Sequence, residues 1–195
     1  MMHPHSELRY IDDQIGFGVF ATQCLPMGTI TWAPDDLDQL LDPSFVQSLD
    51  PIRRQLVKKY SYRNRAGIYI LCWDIGRYVN HSFHANCLTT AYDLDIAIRD
   101  IQPGEQLTND YGLLNLDEPF HCYPEEGTER TLAKKDDILH YYKEWDKLAL
   151  QAFTYFDQNE QPLKHLIPAD YMRRIRMAAE KQVIIDSVKS LYFDD

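Results

Sequence analysis

The stretch Arg77-Tyr78-Val79-Asn80-His81-Ser82-Phe83-His84-Ala85-Asn86 sets the hardest condition on any fold of this chain. It follows closely on an apolar segment, Gly67-Ile68-Tyr69-Ile70-Leu71-Cys72-Trp73, whose β-branched and aromatic residues read as a strand. Polar groups delivered to the end of a buried strand must meet hydrogen-bonding partners or a ligand. Two readings satisfy that demand. In one, the Asn and Ser side chains bond their own backbone and the stretch is a structural loop. In the other, they serve a binding site.

The remainder of the first 120 residues consists of short apolar segments broken by turns. Residues 8–11, 19–21, 29–32, 87–92 and 96–101 read as strands, with turns at 12–14, 26–28, 93–95 and 102–105. Strands this short predict several small curled sheets, not a doubly wound one. Gly16 and Gly18 fit either a hairpin turn or backbone brought close to a cofactor. No Gly-x-x-Gly continuation supports a dinucleotide fold. Residues 35–41 read as a capped helical turn, and Asp50-Pro51 caps a helix over 52–60 with Ile52, Leu56 and Tyr60 on one face.

The last third changes texture. Ile138, Tyr141, Trp145, Ala149, Ala152 and Phe156 keep a helical period through about residues 133–157. Pro168 opens a second helix, with Tyr171, Ile175, Ala178, Ala179, Val183, Ile184 and Val188 on its apolar side. The class is therefore α+β, with an antiparallel helical pair at the C-terminal end.

At 195 residues the chain is one domain, or one domain with an appendage. No apolar run approaches a membrane span, so no membrane partner is expected. The first residues lack the charged-then-apolar design of a secretory signal, and a cytoplasmic location is expected. The four cysteines form no Cys-x-x-Cys pair, which indicates neither a zinc ribbon nor a disulfide framework. A net charge of −10 argues against direct nucleic-acid binding and suits a basic partner.

Three motifs carry more. Gly16-Phe17-Gly18-Val19-Phe20-Ala21 comes first, then Asn80-His81-Ser82 with Asn86. The third is Pro103-Gly104-Glu105-Gln106-Leu107-Thr108-Asn109-Asp110-Tyr111-Gly112. In this order they resemble the SET-domain protein methyltransferases, over about residues 8–122. The resemblance implies a SET-like fold of short curled sheets around a threaded C-terminal segment, an exception to unknotted chains. It implies a catalytic domain over 1–122, with a helical insert at 35–62 beside the substrate groove, and a helical extension over 123–195 packing on it.

It also implies S-adenosylmethionine as cofactor and a protein lysine, in a basic protein or peptide, as acceptor. Tyr111 would be catalytic, orienting the amine and the sulfonium methyl. A phenol near pKa ~10 is a poor base at neutral pH, so proton removal falls to water. Phe17, Gly18, Arg77, Asn80, His81, Tyr111 and Phe120 would contact the cofactor, and Tyr78 and Asn109 the substrate. Members with a zinc site carry Cys where this chain has Phe83, and a Cys-x-Cys tail absent around Cys122. No structural zinc is expected, and the helical pair is the candidate to close the channel. Asn109 stands where many relatives carry Phe or Tyr, which leaves the number of methyl groups open. Trp32 is a candidate wall of the pocket, since the family's Tyr-x-Gly element is absent. The alternatives are a cofactor-binding SET-like module with little or no turnover, and a methyltransferase for a non-lysine acceptor.

Overall fold

In the computed structural model, which describes residues 1–180 and 182–194, the early sequence folds into small sheets, as its short segments predict. Strands β1 (Ser6–Asp12) and β2 (Gly16–Ala21) form a hairpin. Gly16 opens β2 at φ 83°, a left-handed conformation that favours glycine. Next come β3 (Ile30–Trp32), β4 (Gln39–Leu41), helices α1 (Pro43–Ser48) and α2 (Pro51–Tyr60), then β5 (Ser61–Arg63) and β6 (Tyr69–Leu71). The chain continues through β7 (Asn80–His81), β8 (Cys87–Thr89), β9 (Asp95–Ala97) and β10 (Thr108–Asn109). Last are β11 (Phe120–His121), β12 (Leu132–Ala133), α3 (Asp137–Phe153) and α4 (Ala169–Ala179).

Strand β9 lies between β3 and β8, and alternation along it assigns its two faces. Ile96, with Ile30 and Leu88, packs against Trp145, Phe153 and Ile175 of the two long helices. Ala97 and Cys87 point the other way, into a second cluster with Val19, Leu107 and Cys72. The β3–β9 register slips between Ile30 and Trp32, so that Trp32 pairs with Asp95. Such a bulge turns the next side chain over. Trp32 accordingly joins the second cluster, away from the helices. This single irregularity aims a large indole at the site described below.

Several expectations need correcting. Residues 39–41 are not helical: β4 pairs with β6, Leu40 opposite Ile70. Asp35 and Asp38 accept hydrogen bonds from the Trp73 indole and backbone, holding the segment against that strand. Helix α2 forms as predicted, Asp50 capping the Arg53 N–H at 3.0 Å, but of its apolar face only Tyr60 finds a partner, and Ile52 and Leu56 stay exposed. Ile52 is 73% exposed. Helix α4 ends at Ala179, short of the predicted stripe, and Ile184 is 93% exposed. Val188 is buried from a separate short turn, Val188–Leu191.

The division at 122/123 falls inside the β11–β12 hairpin, where Phe120 pairs with Ala133. Arg130 fastens this hairpin to the body. Its guanidinium meets Asp110 Oδ2 at 2.5 Å and Asp137 Oδ2 at 2.7 Å, and lies 4.2 Å from the Phe83 ring centre. Glu125 adds a second tie: its carboxylate accepts from Ser82 Oγ and from the Phe83 backbone N–H, each at 3.0 Å. Among the described residues no helix is long and apolar enough to cross a membrane.

Candidate active site

Strand β7 pairs in parallel with β10, Asn80 opposite Thr108 and His81 opposite Asn109. This pairing joins two motifs some thirty residues apart in the chain. Asn80 Nδ2 donates to the Phe17 carbonyl at 2.9 Å and brings in the third, on β2. A Cβ on Gly18 would lie 2.6 Å from Gln106 Nε2 and 3.0 Å from Asn80 Nδ2. Both neighbours are ends of flexible side chains. Gly18→Ala is therefore expected to displace the Asn80 amide from the Phe17 carbonyl, with a stability change of about 1 kcal/mol or less. The NMR signal of the Asn80 side-chain amide and thermal melting of the same sample check both parts.

His81 lies beneath this junction. Its Nδ1 accepts the Tyr111 backbone N–H at 3.1 Å, which leaves the ring proton on Nε2. That Nε2 is buried without a partner. Burial lowers the His81 pKa, against an opposing pull from the Asp110 carboxylate, so the ring is neutral at pH 7. The Tyr111 and Phe120 rings flank it, at 5.3 and 6.0 Å between centres.

Tyr111 donates its hydroxyl hydrogen to the Val79 carbonyl at 2.8 Å. Burial pushes its pKa upward, so the phenol stays neutral. It forms part of the wall of a cavity of about 320 Å³, with Trp32, Tyr60, Tyr62, Cys72 and Phe120. A broader groove of about 520 Å³, lined by Arg54, Lys58, Asp117 and Glu118, shares Tyr62, Leu116 and Phe120 with it. The cavity thus has an aromatic side to its wall, made by Trp32, Tyr60, Tyr62, Tyr111 and Phe120, and adjoins the groove.

The wall also includes polar residues: Thr89, Asp95 and Asn109 from β8, β9 and β10. Asn109 Nδ2 donates to Thr89 Oγ1 at 2.8 Å and to Asp95 Oδ2 at 3.1 Å. Burial raises the Asp95 pKa from 3.8 to about 6, despite hydrogen bonds from Thr89 and Asn109 that favour the ion. The ionised carboxylate therefore costs the folded state about 3 kcal/mol. The cost is absent below the unfolded value and complete once pH has risen through about 6. Asp95→Asn is expected to stabilise the protein at pH 8 by up to about 3 kcal/mol. The gain should shrink as pH falls toward 4, a trend readable from denaturation curves at each pH.

The predicted residues fall into two groups that meet at Tyr111 and Phe120. Phe17, Gly18, Asn80 and His81 are joined through the Asn80 and Tyr111 hydrogen bonds and lie outside the cavity wall. Asn109 and Arg77 line the cavity, with Tyr111 and Phe120 at the boundary. Arg77 stands on this side, its guanidinium 5.4 Å from the Tyr78 ring. Tyr78 is not part of the wall; its ring lies between those of Phe17 and Tyr60, at 6.0 and 5.6 Å. The insert contributes Lys58–Tyr62, and Trp32 is part of the wall. No wall residue comes from α3 or α4: the cavity is walled by Leu114, Leu116 and Phe120, and the helical pair expected beside it takes no part. Sequence reasoning missed Asp95, read as a turn residue; its signal was an acidic side chain in alternation with buried Ala97.

Residues 16–112 match the family described as SET domain, whose members are generally methyltransferases. Among curated proteins none matches the chain. The matched span starts at the Gly16 turn and ends one residue past Tyr111, enclosing all three motifs that the fold gathers. The chain belongs to the SET-domain family.

Proposed function

We propose that this protein transfers a methyl group from S-adenosylmethionine to the side-chain amine of a lysine in a protein partner. The observation that carries the reading is the position of Tyr111. It stands between the Asn80–His81 pair and the aromatic cavity, hydrogen-bonded to the first group and walling the second. The residues on the far side fit the cofactor: a buried His81 Nε2 without a partner, a glycine at 18 where a side chain would collide, and the half-exposed rings of Phe17 and Phe120. When bound, the cofactor supplies a sulfonium methyl open to in-line attack by an amine.

The chain's own residues supply alignment and dipoles. The Val79 carbonyl takes the Tyr111 hydroxyl hydrogen, so the phenol oxygen keeps its lone pairs for the reacting centre. With its pKa raised, Tyr111 orients and does not remove protons. A free lysine near pKa ~10.4 is neutral in only about one molecule in ~10³ at neutral pH. The aromatic wall favours that neutral form by desolvation. The net charge of −10 supports a basic partner. The same proposal includes threading of the segment after β10, for which the parallel β7–β10 pairing is the support.

Incubation with methyl-labelled cofactor and lysine-rich basic protein tests the reading. Label on lysine is the expected result. Cofactor binding without transfer to any amine would overturn it in favour of a binding module.

A further inference from the structure

The polar part of the cavity holds a charge that methyl transfer does not itself require. Asp95 makes no ion pair with a lysine, arginine or histidine among the described residues; the cation acting on it is the N-terminal ammonium, as the weakest influence. Its neighbour Asn109 is 3% exposed and fully committed on one side, donating from Nδ2 to Thr89 and Asp95. A carboxylate only accepts, so the amide must turn its NH₂ that way. Asn109 Oδ1 is then left buried without a donor. Two acceptors line one cavity: Asp95, hydrogen-bonded by Thr89 and Asn109 but with no cationic side chain paired to it, and Asn109 Oδ1, which has no donor. Buried polar groups of this kind call for a ligand.

We propose that Asp95 and Asn109 form the subsite for a protonated amine, its charge against the carboxylate and one N–H on Asn109 Oδ1. The proposal rests on reading the cavity as the acceptor channel. An alkylammonium supplies what the subsite lacks, a positive charge and several donors, on a stem that suits the aromatic wall. The subsite seats the amine as it enters. After methylation it faces a cation that still carries N–H groups, while the aromatic wall favours the neutral form between. A neutral isostere offers no charge, and a quaternary ammonium no donor. Specificity of this sort arises because the wrong ligand leaves buried groups unpaired.

The pH dependence follows from the groups around Asp95. Tyr62, Cys72 and Cys87 face it from neighbouring elements, and burial raises all three, Cys87 to about 12. Tyr111 is raised in the same way. They stay neutral near pH 7; the cations in the wall are Lys58, Lys59 and Arg77. Asp95, raised to about 6, is therefore the group that changes charge between pH 5 and 8. Selectivity for an ammonium should be present above about pH 6 and lost as pH falls through it.

The test uses the full chain without cofactor and three probes: n-butylammonium, 1-butanol and n-butyltrimethylammonium. Binding is followed by NMR at the Trp32 indole N–H and the Asn109 side-chain amide. At pH 8 n-butylammonium should bind at least about tenfold more tightly than either control, the order expected for one charge-assisted hydrogen bond. The preference over 1-butanol should vanish in Asp95→Asn, which the pH argument above makes no less stable than the parent, and at pH 5 in the parent. Equal affinities for the three probes, no saturable binding, or a preference that survives Asp95→Asn would each overturn the proposal. Because methyl transfer is not the readout, a chain that selects ammonium but transfers no label would overturn only the methyltransferase reading.

Discussion

Tyr111→Phe is expected to lower the rate of methyl transfer by about 10²–10³-fold, the usual loss when one preorganised polar group is removed from a reacting centre. The substitution deletes a single oxygen. That oxygen is fixed by its bond to Val79 O at 2.8 Å and kept neutral by burial, so it acts as an oriented dipole and not as a base. The ring survives, and with it the contacts to His81 and to Phe120, whose centre lies 5.1 Å away. The backbone N–H of residue 111 still donates to His81 Nδ1. Cofactor affinity should therefore change little. Stability should fall by about 1 kcal/mol, because the Val79 carbonyl loses its partner. Initial rates with labelled cofactor, beside a denaturation curve, separate the two effects. An unchanged rate would remove Tyr111 from the mechanism.

Arg130→Ala is expected to cost about 3–5 kcal/mol of stability, the penalty for leaving buried charges without their partner. Asp110 and Asp137 have side chains only 5% and 10% exposed, and Arg130 bridges them. Removal would leave two carboxylates facing each other across the space. It would also strip cover from the Phe83 and Tyr141 rings, which lie 4.2 and 4.4 Å from the guanidinium. Arg130→Lys should recover only part of the loss, since a point charge cannot bond both carboxylates as a planar fork does. Urea denaturation of the three proteins gives the comparison. The functional consequence runs through the hairpin: Arg130 holds β12, and β12 holds Phe120 at the cavity wall. The helices that were expected to close the channel instead bury the opposite face of the β3–β9–β8 sheet.

Where local chemistry sufficed, the sequence alone was decisive. Asp50-Pro51 marks the start of α2 from the sequence, because cap and ring act on the backbone beside them. The Gly16 turn was legible from its residues, whereas the Asn80-His81 and Asp110-Tyr111 pairs stood out only through their resemblance to the SET-domain family. Tertiary structure decided everything that depends on which surfaces meet. Leu40 became part of a strand because β6 offered an edge, and Ile52 stayed exposed because no surface came to cover it. Asp95 became a candidate ligand-binding group because β8, β9 and β10 enclose it beside Asn109, a relation that no spacing along the chain records. The physical reason is range: capping and turn preferences act within a few residues, whereas burial, and the pKa shifts and unpaired atoms it creates, is a property of neighbours distant in sequence.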